Sequence, residues 1–250
     1  MKGALLKKKF VVIVLAICYG CRSNSSLTEA LAAPESATTL NLNRVRMKSL
    51  TPEISKLTNL RVLKLYKCRL EKLPAEIGNL KNLEILILGG NKLKELPPEI
   101  GKLTKLKDLS LQSNQLEQLP AEIGRLENLT ILNLNHNRLS KLPNSIGLLQ
   151  NLSSFYLDGN NLTELNPQIG FLSNLRFFII GKNNLRELPP EIGNLTHLIE
   201  LNVVRSGVMI KIPNTICNLK KLETFYADHS TPIPYCFLSE TNFLFKIIIQ

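Results

Sequence analysis

Five cysteines and three histidines are the side chains best suited to ligate metal, attack an electrophile or move a proton. Catalysis needs such groups to converge, and here they do not. His136 and His229 fall at equivalent points of a repeated pattern and His197 on its other side, none with a second histidine at ligand spacing. Five is an odd number of cysteines, and neither a zinc site nor a disulfide framework is indicated. Cys217 and Cys236 could meet near the carboxyl end, either as a disulfide in an oxidising compartment or as two buried thiols. Gly89-Gly90-Asn91-Lys92 holds glycines and a lysine but not the spacing of a phosphate loop. The expectation is a protein with no catalytic residues, no metal and no cofactor.

The chain that must position these groups has 250 residues, 44% hydrophobic and 20% charged, a balance that excludes wholesale disorder. Trp is absent and aromatics reach 6%, so the core is aliphatic. The formal charge of +11 includes Lys2, Lys7, Lys8 and Lys9, ahead of the first acid. Lys7-Lys8-Lys9 precede the apolar run Phe10 to Cys18, then Tyr19-Gly20-Cys21 and the polar Arg22-Ser23-Asn24-Ser25-Ser26. A basic segment before a short apolar one is the pattern of an export signal. Gly20 directly before Cys21 resembles the lipobox of bacterial lipoproteins, which implies lipidation at Cys21. Cys18 and Tyr19 depart from the usual lipobox residues.

The remainder is one motif written eight times. Leu60, Leu83, Leu106, Leu129, Leu152, Leu175 and Leu198 recur at a period of 23. The copy that starts at Leu83 reads LEILILGGNKLKELPPEIGKLTK, with apolar residues at positions 1, 4, 6, 11, 14, 18 and 21, Asn at 9, Pro at 15 and Gly at 19. A degenerate copy covers 37–59, the copy at 198–221 has one extra residue, and a partial ninth starts at Leu222. The organisation expected is a signal peptide at 1–20, a tether and cap helix at 21–36, the repeats at 37–229, and a carboxyl-terminal cap or tail at 230–250.

Each repeat position has a physical task. Positions 3 to 7 alternate, the period of a strand with one face buried, so Leu86 and Leu88, Leu109 and Leu111, and Leu132 and Leu134 point inward. Asn91, Asn114, Asn137, Asn160 and Asn183 sit where the chain leaves the strand, and a carboxamide there can satisfy otherwise unpaired backbone groups of its own and adjacent turns. Pro97 or Pro120 can begin a short helical turn on the opposite edge, and Gly101 or Gly124 is expected to allow the chain reversal. Glu99 with Lys102 and Glu122 with Arg125 are spaced for weak surface pairs. One copy cannot bury its own apolar face, so stability comes from stacking.

This pattern is similar to the leucine-rich repeat of the LxxLxLxxNxLxxLPxxIxxLxx type, also seen in Ras-suppressor-like proteins. The resemblance implies an α/β solenoid, a curved horseshoe with a parallel β-sheet on its concave face and short helical turns or irregular segments on its convex face. Leu27-Thr28-Glu29-Ala30-Leu31, followed by Pro34, resembles the amino-terminal cap helix of the exported leptospiral leucine-rich-repeat family, some of whose members are reported to bind host surface components. Departures are Val45, Cys68 and Ser206 in place of Asn, and Asn166 in place of Pro.

Positions 3, 5, 7 and 8 carry no evident structural duty, which leaves them free to follow a partner. Instead of uniformly polar types they include Ile85 and Ile87 beside Gly89-Gly90, and Tyr156, Phe177 and Ile179 beside Gly159 and Gly181. The glycines are expected to leave room for a protruding side chain, and exposed apolar patches mark interaction sites. Ile131, Asp158, Lys64 and Tyr66 complete the candidate concave surface. Nine strands at about 4.8 Å give a face roughly 40 Å long, large enough for a protein interface and too open for a small ligand.

The reading is a non-enzymatic protein-recognition module, exported and either tethered to the cell envelope or secreted, whose only membrane contact is a lipid anchor. It binds a partner, such as a host surface protein, through the concave face. The alternatives are an intracellular Ras-suppressor-like scaffold and a binder of a sulfated polyanion through Arg44, Arg46, Lys64, Lys67 and Arg69. No aromatic–basic stacking motif suggests nucleic acid.

Overall fold

The computed structural model describes residues 24–237 and 246–249. The proposed signal peptide and the candidate lipidation site Cys21 lie outside the described residues. The repeats form a solenoid whose strands make one ten-stranded, all-parallel sheet in sequence order. The strands are β1 (Thr39–Asn41), β2 (Val62–Lys64), β3 (Ile85–Ile87), β4 (Asp108–Ser110), β5 (Ile131–Asn133), β6 (Ser154–Tyr156), β7 (Phe177–Ile179), β8 (Glu200–Asn202), β9 (Thr224–Ala227) and β10 (Lys246–Ile249). Nine strands were expected from the repeats. The tenth comes from the apolar tail, which returns to pair parallel with β9.

Successive copies pair without a shift of register: Leu63, Leu86, Leu109 and Leu132 are direct partners along the sheet. Their side chains are buried, as are the leucines two residues on, so each strand contributes the same inward points to continuous aliphatic layers. In the sixth and seventh copies Phe155 and Phe178 take the inward place and stack, with ring centroids 5.6 Å apart.

Opposite the strands, each copy makes a one-turn 3-10 helix. Pro97 and Pro120 precede these turns in extended conformation and so act as their amino-terminal caps. Where Asn166 replaces Pro, its Oδ1 accepts a hydrogen bond from the Gln168 N–H at 2.9 Å, a capping interaction of the usual polar kind. Gly101 and Gly124 are not in the left-handed region, contrary to the chain-reversal role expected of them. A Cβ on Gly124 would lie 2.5 Å from the Ser145 carbonyl oxygen, and one on Gly78 would lie 2.6 Å from that of Glu99. The glycine is therefore required because the next turn packs directly against it.

The asparagines are hydrogen-bonded across two copies. Asn114 donates from Nδ2 to Leu88 O and Leu111 O, and its Oδ1 accepts from Leu93 N–H. Asn137, Asn160 and Asn183 repeat the scheme, and the Asn91 Oδ1 accepts from both Cys68 and Leu70 N–H. Cys68 and Ser206 keep part of it, donating to Leu42 O and Ile180 O. Val45 keeps none, and the first copy has no preceding repeat whose backbone would need satisfying. Burial, the largest cause, pushes the Cys68 thiol pKa up.

A second ladder, not anticipated, runs along the last position of six of the eight copies. Asn82, Asn128, Asn151 and Asn174 each donate from Nδ2 to a backbone carbonyl of the preceding copy, Asn59 donates likewise to Glu35 O just ahead of the first copy, and His197 fills the same slot with Nδ1 at 3.0 Å from Ser173 O. His197 is thus a structural residue.

Helix α1 (Asn24–Ala32) packs Leu27, Ala30 and Leu31 against the first copy and covers the amino-terminal end of the core. At the other end Cys217 and Cys236 form a disulfide with their Cα atoms 5.9 Å apart, which decides between the two alternatives left open for them. The extra residue of the eighth copy loops out at Val208 and Met209, which are 94% and 62% exposed. Glu200 still pairs with Thr224, so the sheet is not disturbed.

Candidate protein-binding face

The outward-pointing residues of the strands form rows, because the register is unshifted. One row runs Val62, Ile85, Asp108, Ile131, Ser154, Phe177, Glu200 and the next Lys64, Ile87, Ser110, Asn133, Tyr156, Ile179, Asn202. Tyr156 and Ile179 are direct neighbours, and Phe177 lies two residues before Ile179 on the same face. All three are half-buried, flanked by neighbours of their own row, and sit directly over the stacked Phe155 and Phe178. The Arg176 guanidinium lies 5.8 Å from the Phe177 ring centroid. A stacked aromatic pair thus lies beneath an accessible apolar trio.

Ile85 and Ile87 are likewise half-buried on β3, three strands from β6 and so about 14 Å away. Ile131, 37% exposed, stands apart from both spots, with Asp108 on one side and Ser154 on the other. Lys64 is half-buried between Asn41 and Ile87. The Lys67 ammonium lies 5.2 Å from the centre of the Tyr66 ring, which is thereby engaged. Asp158 is ion-paired with Lys182 at 2.9 Å, so its charge is already answered.

Positions 5, 7 and 8 carry more structural duty than the sequence suggested. Asn41, Asn133 and Asn202 accept from the N–H two residues on, and Asn43 and Asn135 accept from the next copy's N–H at Tyr66 and Asp158. Position 8 is left-handed in eight copies: Arg44, Lys67, Gly90, Ser113, His136, Gly159, Lys182 and Arg205 all have positive φ. Gly90 and Gly159 are thus the relaxed residues for that backbone. Gly89 and Gly181 do not open space either, since a Cβ on the first would meet the Gln112 side chain at 2.7 Å and on the second Asp158 Oδ1 at 2.7 Å. The two apolar spots are bordered by filled surface. The spaced pairs Glu99–Lys102 and Glu122–Arg125 do not form; among the described residues the corresponding pair is Glu53–Lys56, at 3.1 Å.

Asp108 is the residue the sequence reading passed over. It lies in register between Ile85 and Ile131, and among the described residues its carboxylate has neither a hydrogen bond nor an ion pair. Burial pushes its pKa up. An unanswered acid between two isoleucines is suited to accept a partner's cation or amide N–H. Glu84, the residue before β3, is the opposite case: a hydrogen bond from Lys107, and then one from Arg61, hold its carboxyl below the usual range.

A model described as a leucine-rich repeat region matches residues 38–116 and 99–167. A search of curated proteins found no significant match. Among solved structures the chain is similar to a leucine-rich-repeat protein of Leptospira interrogans, at 29% identity and a TM-score of 0.66 over 89% of this chain and 68% of that one. It is also similar to the plant peptide hormone receptor RGFR1, solved in complex with RGF2, at 25% identity and a TM-score of 0.63 over 85% of this chain and 39% of the receptor. The leucine-rich repeat domain of the type III effector XopL shares the fold at a TM-score of 0.72, over 90% and 79% of the two chains, with 24% identity. This chain spans less than half of the plant receptor. Proteins built from this repeat generally serve as binding scaffolds. By its repeat, its asparagine ladder and its matched residues, this chain belongs to the leucine-rich-repeat family.

Proposed function

We propose that the protein is an exported, non-enzymatic recognition module that holds a protein partner on the concave sheet face. Tyr156, Phe177 and Ile179 are the principal anchor, Ile85 and Ile87 the secondary one, and Asp108 a polar contact beside the latter. The observation that carries this reading is the apolar trio on solvent-facing β6 and β7, backed by the Phe155–Phe178 stack. Rigid aromatic anchors over a packed layer are the usual hot spots of protein interfaces. The plant receptor, solved with RGF2, supports a ligand-holding role for a chain of this fold. The paired Cys217 and Cys236 support export, because structural disulfides persist in oxidising compartments. Gly20-Cys21 supports lipidation at Cys21 and tethering to the envelope.

A photoreactive phenylalanine analogue at position 177 tests the face, with the same analogue at Phe171 on a 3-10 turn as the comparison. Incubated with envelope and host-cell extracts, the position-177 protein is expected to capture a protein that the position-171 protein does not. Phe177→Asp is expected to lower affinity for that protein at least about a hundredfold, in the range of hot-spot losses, with its melting temperature unchanged. Equal capture from both positions, or unchanged affinity of the aspartate variant, removes the concave assignment. Fractionation with labelled fatty acid tests the location. Label that disappears in Cys21→Ser is the expected result, and a cytosolic, unlabelled product overturns export.

A further inference from the structure

Away from the apolar spots, the edge where the chain leaves the first three strands is lined by cations in series. After β1 come Arg44 and Arg46, after β2 Lys67 and Arg69, and after β3 Lys92. All five are exposed, and among the described residues none is ion-paired. Copies repeat at about 4.8 Å along the sheet, so the row extends over about 10 Å, with residues two apart doubling the charge at the first two steps. The backbone beneath is fixed: Arg44 N–H donates to Tyr66 O at 2.7 Å, Met47 N–H to Cys68 O at 2.9 Å and Lys67 N–H to Gly89 O at 2.9 Å.

Two features set this edge apart from the rest of the array. Arg69 is left-handed at a position where the third to seventh copies are not. Left-handed backbone at a long side chain costs about 1 kcal/mol or more and clusters at functional sites. The row also stops: the fourth copy places Ser113 and Gln115 at the same positions.

We propose that this edge is a binding site for a linear sulfated polysaccharide, separate from the concave face. A regular row of unpaired cations matches a chain whose anionic groups recur along its length. Among the described residues the aromatic ring beside the row is Tyr66, half-buried and engaged by Lys67, which leaves it poorly placed to stack on a nucleic-acid base. The next acids along the chain, Glu71 and Glu95, follow Arg69 and Lys92 by two and three residues, on the way to the 3-10 turns.

The test is titration of the full chain with heparin oligosaccharides at several salt concentrations. Desulfated heparin, single- and double-stranded DNA, and anionic phospholipid vesicles are run in parallel. Binding to heparin alone is expected, weakening steeply with salt as counterions are released. The triple variant Arg46→Gln, Arg69→Asn, Lys92→Gln is expected to lose at least about tenfold in affinity and to show a shallower salt slope by about one contact per cation removed. Asn is chosen at 69 because it tolerates the left-handed backbone. Lys105→Gln with Lys221→Gln, away from the edge, is expected to bind like the parent, and so is Phe177→Asp, which separates this site from the concave one. Absence of heparin binding near physiological salt, an unaffected triple variant, or DNA or vesicles binding as tightly as heparin would each overturn the proposal.

Discussion

Phe177 and Phe178 are consecutive residues of one strand, yet one is fully buried and the other half-exposed. The same division runs the length of the sheet. The inward row is nearly uniform, Leu63 to Leu201 with only Phe155 and Phe178 as exceptions, whereas the outward row changes at every step: Val62, Ile85, Asp108, Ile131, Ser154, Phe177, Glu200. Identity is constrained where a residue meets the equivalent residue of the copies on both sides, and free where it meets solvent. The repeat thus separates residues that hold the fold from residues that can specify a ligand, within one strand.

The sharpest way to break that comparison is a charge placed on each row. Leu109→Asp buries an unpaired carboxylate between Leu86 and Leu132 and is expected to cost more than about 4 kcal/mol, with loss of cooperative melting by circular dichroism. Phe177→Asp, one row out, is expected to leave the melting temperature within about one degree. Comparable destabilisation by both would mean that the rows are not distinct.

A smaller effect is expected at the asparagine ladder. Asn137→Ala leaves Leu116 N–H and the carbonyls of Leu111 and Leu134 without their side-chain partner, at about 3 kcal/mol by chemical denaturation. Ala at Asn135, whose carboxamide accepts one N–H in a half-buried setting, is expected to cost about 1 kcal/mol. Equal losses would place the outward row under the same constraint as the ladder.

The smallest effect sharpens the outward row itself. The folded state raises the Asp108 pKa, so it binds a proton more tightly there than the unfolded chain does. Stability contributed by that proton is present at low pH and lost as pH rises from the ordinary aspartate range through the higher folded value. Asp108→Asn is therefore expected to stabilise the protein above that window, by at most about 1 kcal/mol given partial solvent screening, and to match the parent at about pH 3. Melting curves across pH measure it. A gain that persists undiminished in acid would assign the effect to something other than the carboxylate.

The strands, the inward leucines and the ladder were legible because each depends on a period, and a period survives in a single sequence. The reason for Gly101 and Gly124 was not, because spacing does not distinguish a left-handed backbone from a lack of room. The left-handed turn at position 8 was hidden by Arg44, Lys67, Ser113, His136, Lys182 and Arg205, where Gly would have announced it. The filling of Gly89 by Gln112 and of Gly181 by Asp158 was within reach, since each filler lies 23 residues from the glycine it covers. Asp108 was missed because its significance comes from Ile85 and Ile131 beside it, one copy away on either side. The Cys217–Cys236 pairing and β10 fall where the repeat ends, and no periodic argument reaches them.

The outward bulge at Val208 and Met209 shows where such an array can change length. An added residue there is absorbed at the rim, and every strand after it keeps its partner. Loops of other lengths grafted at that point would change what the rim displays while leaving the grip of the sheet untouched, so one molecule can vary two surfaces independently.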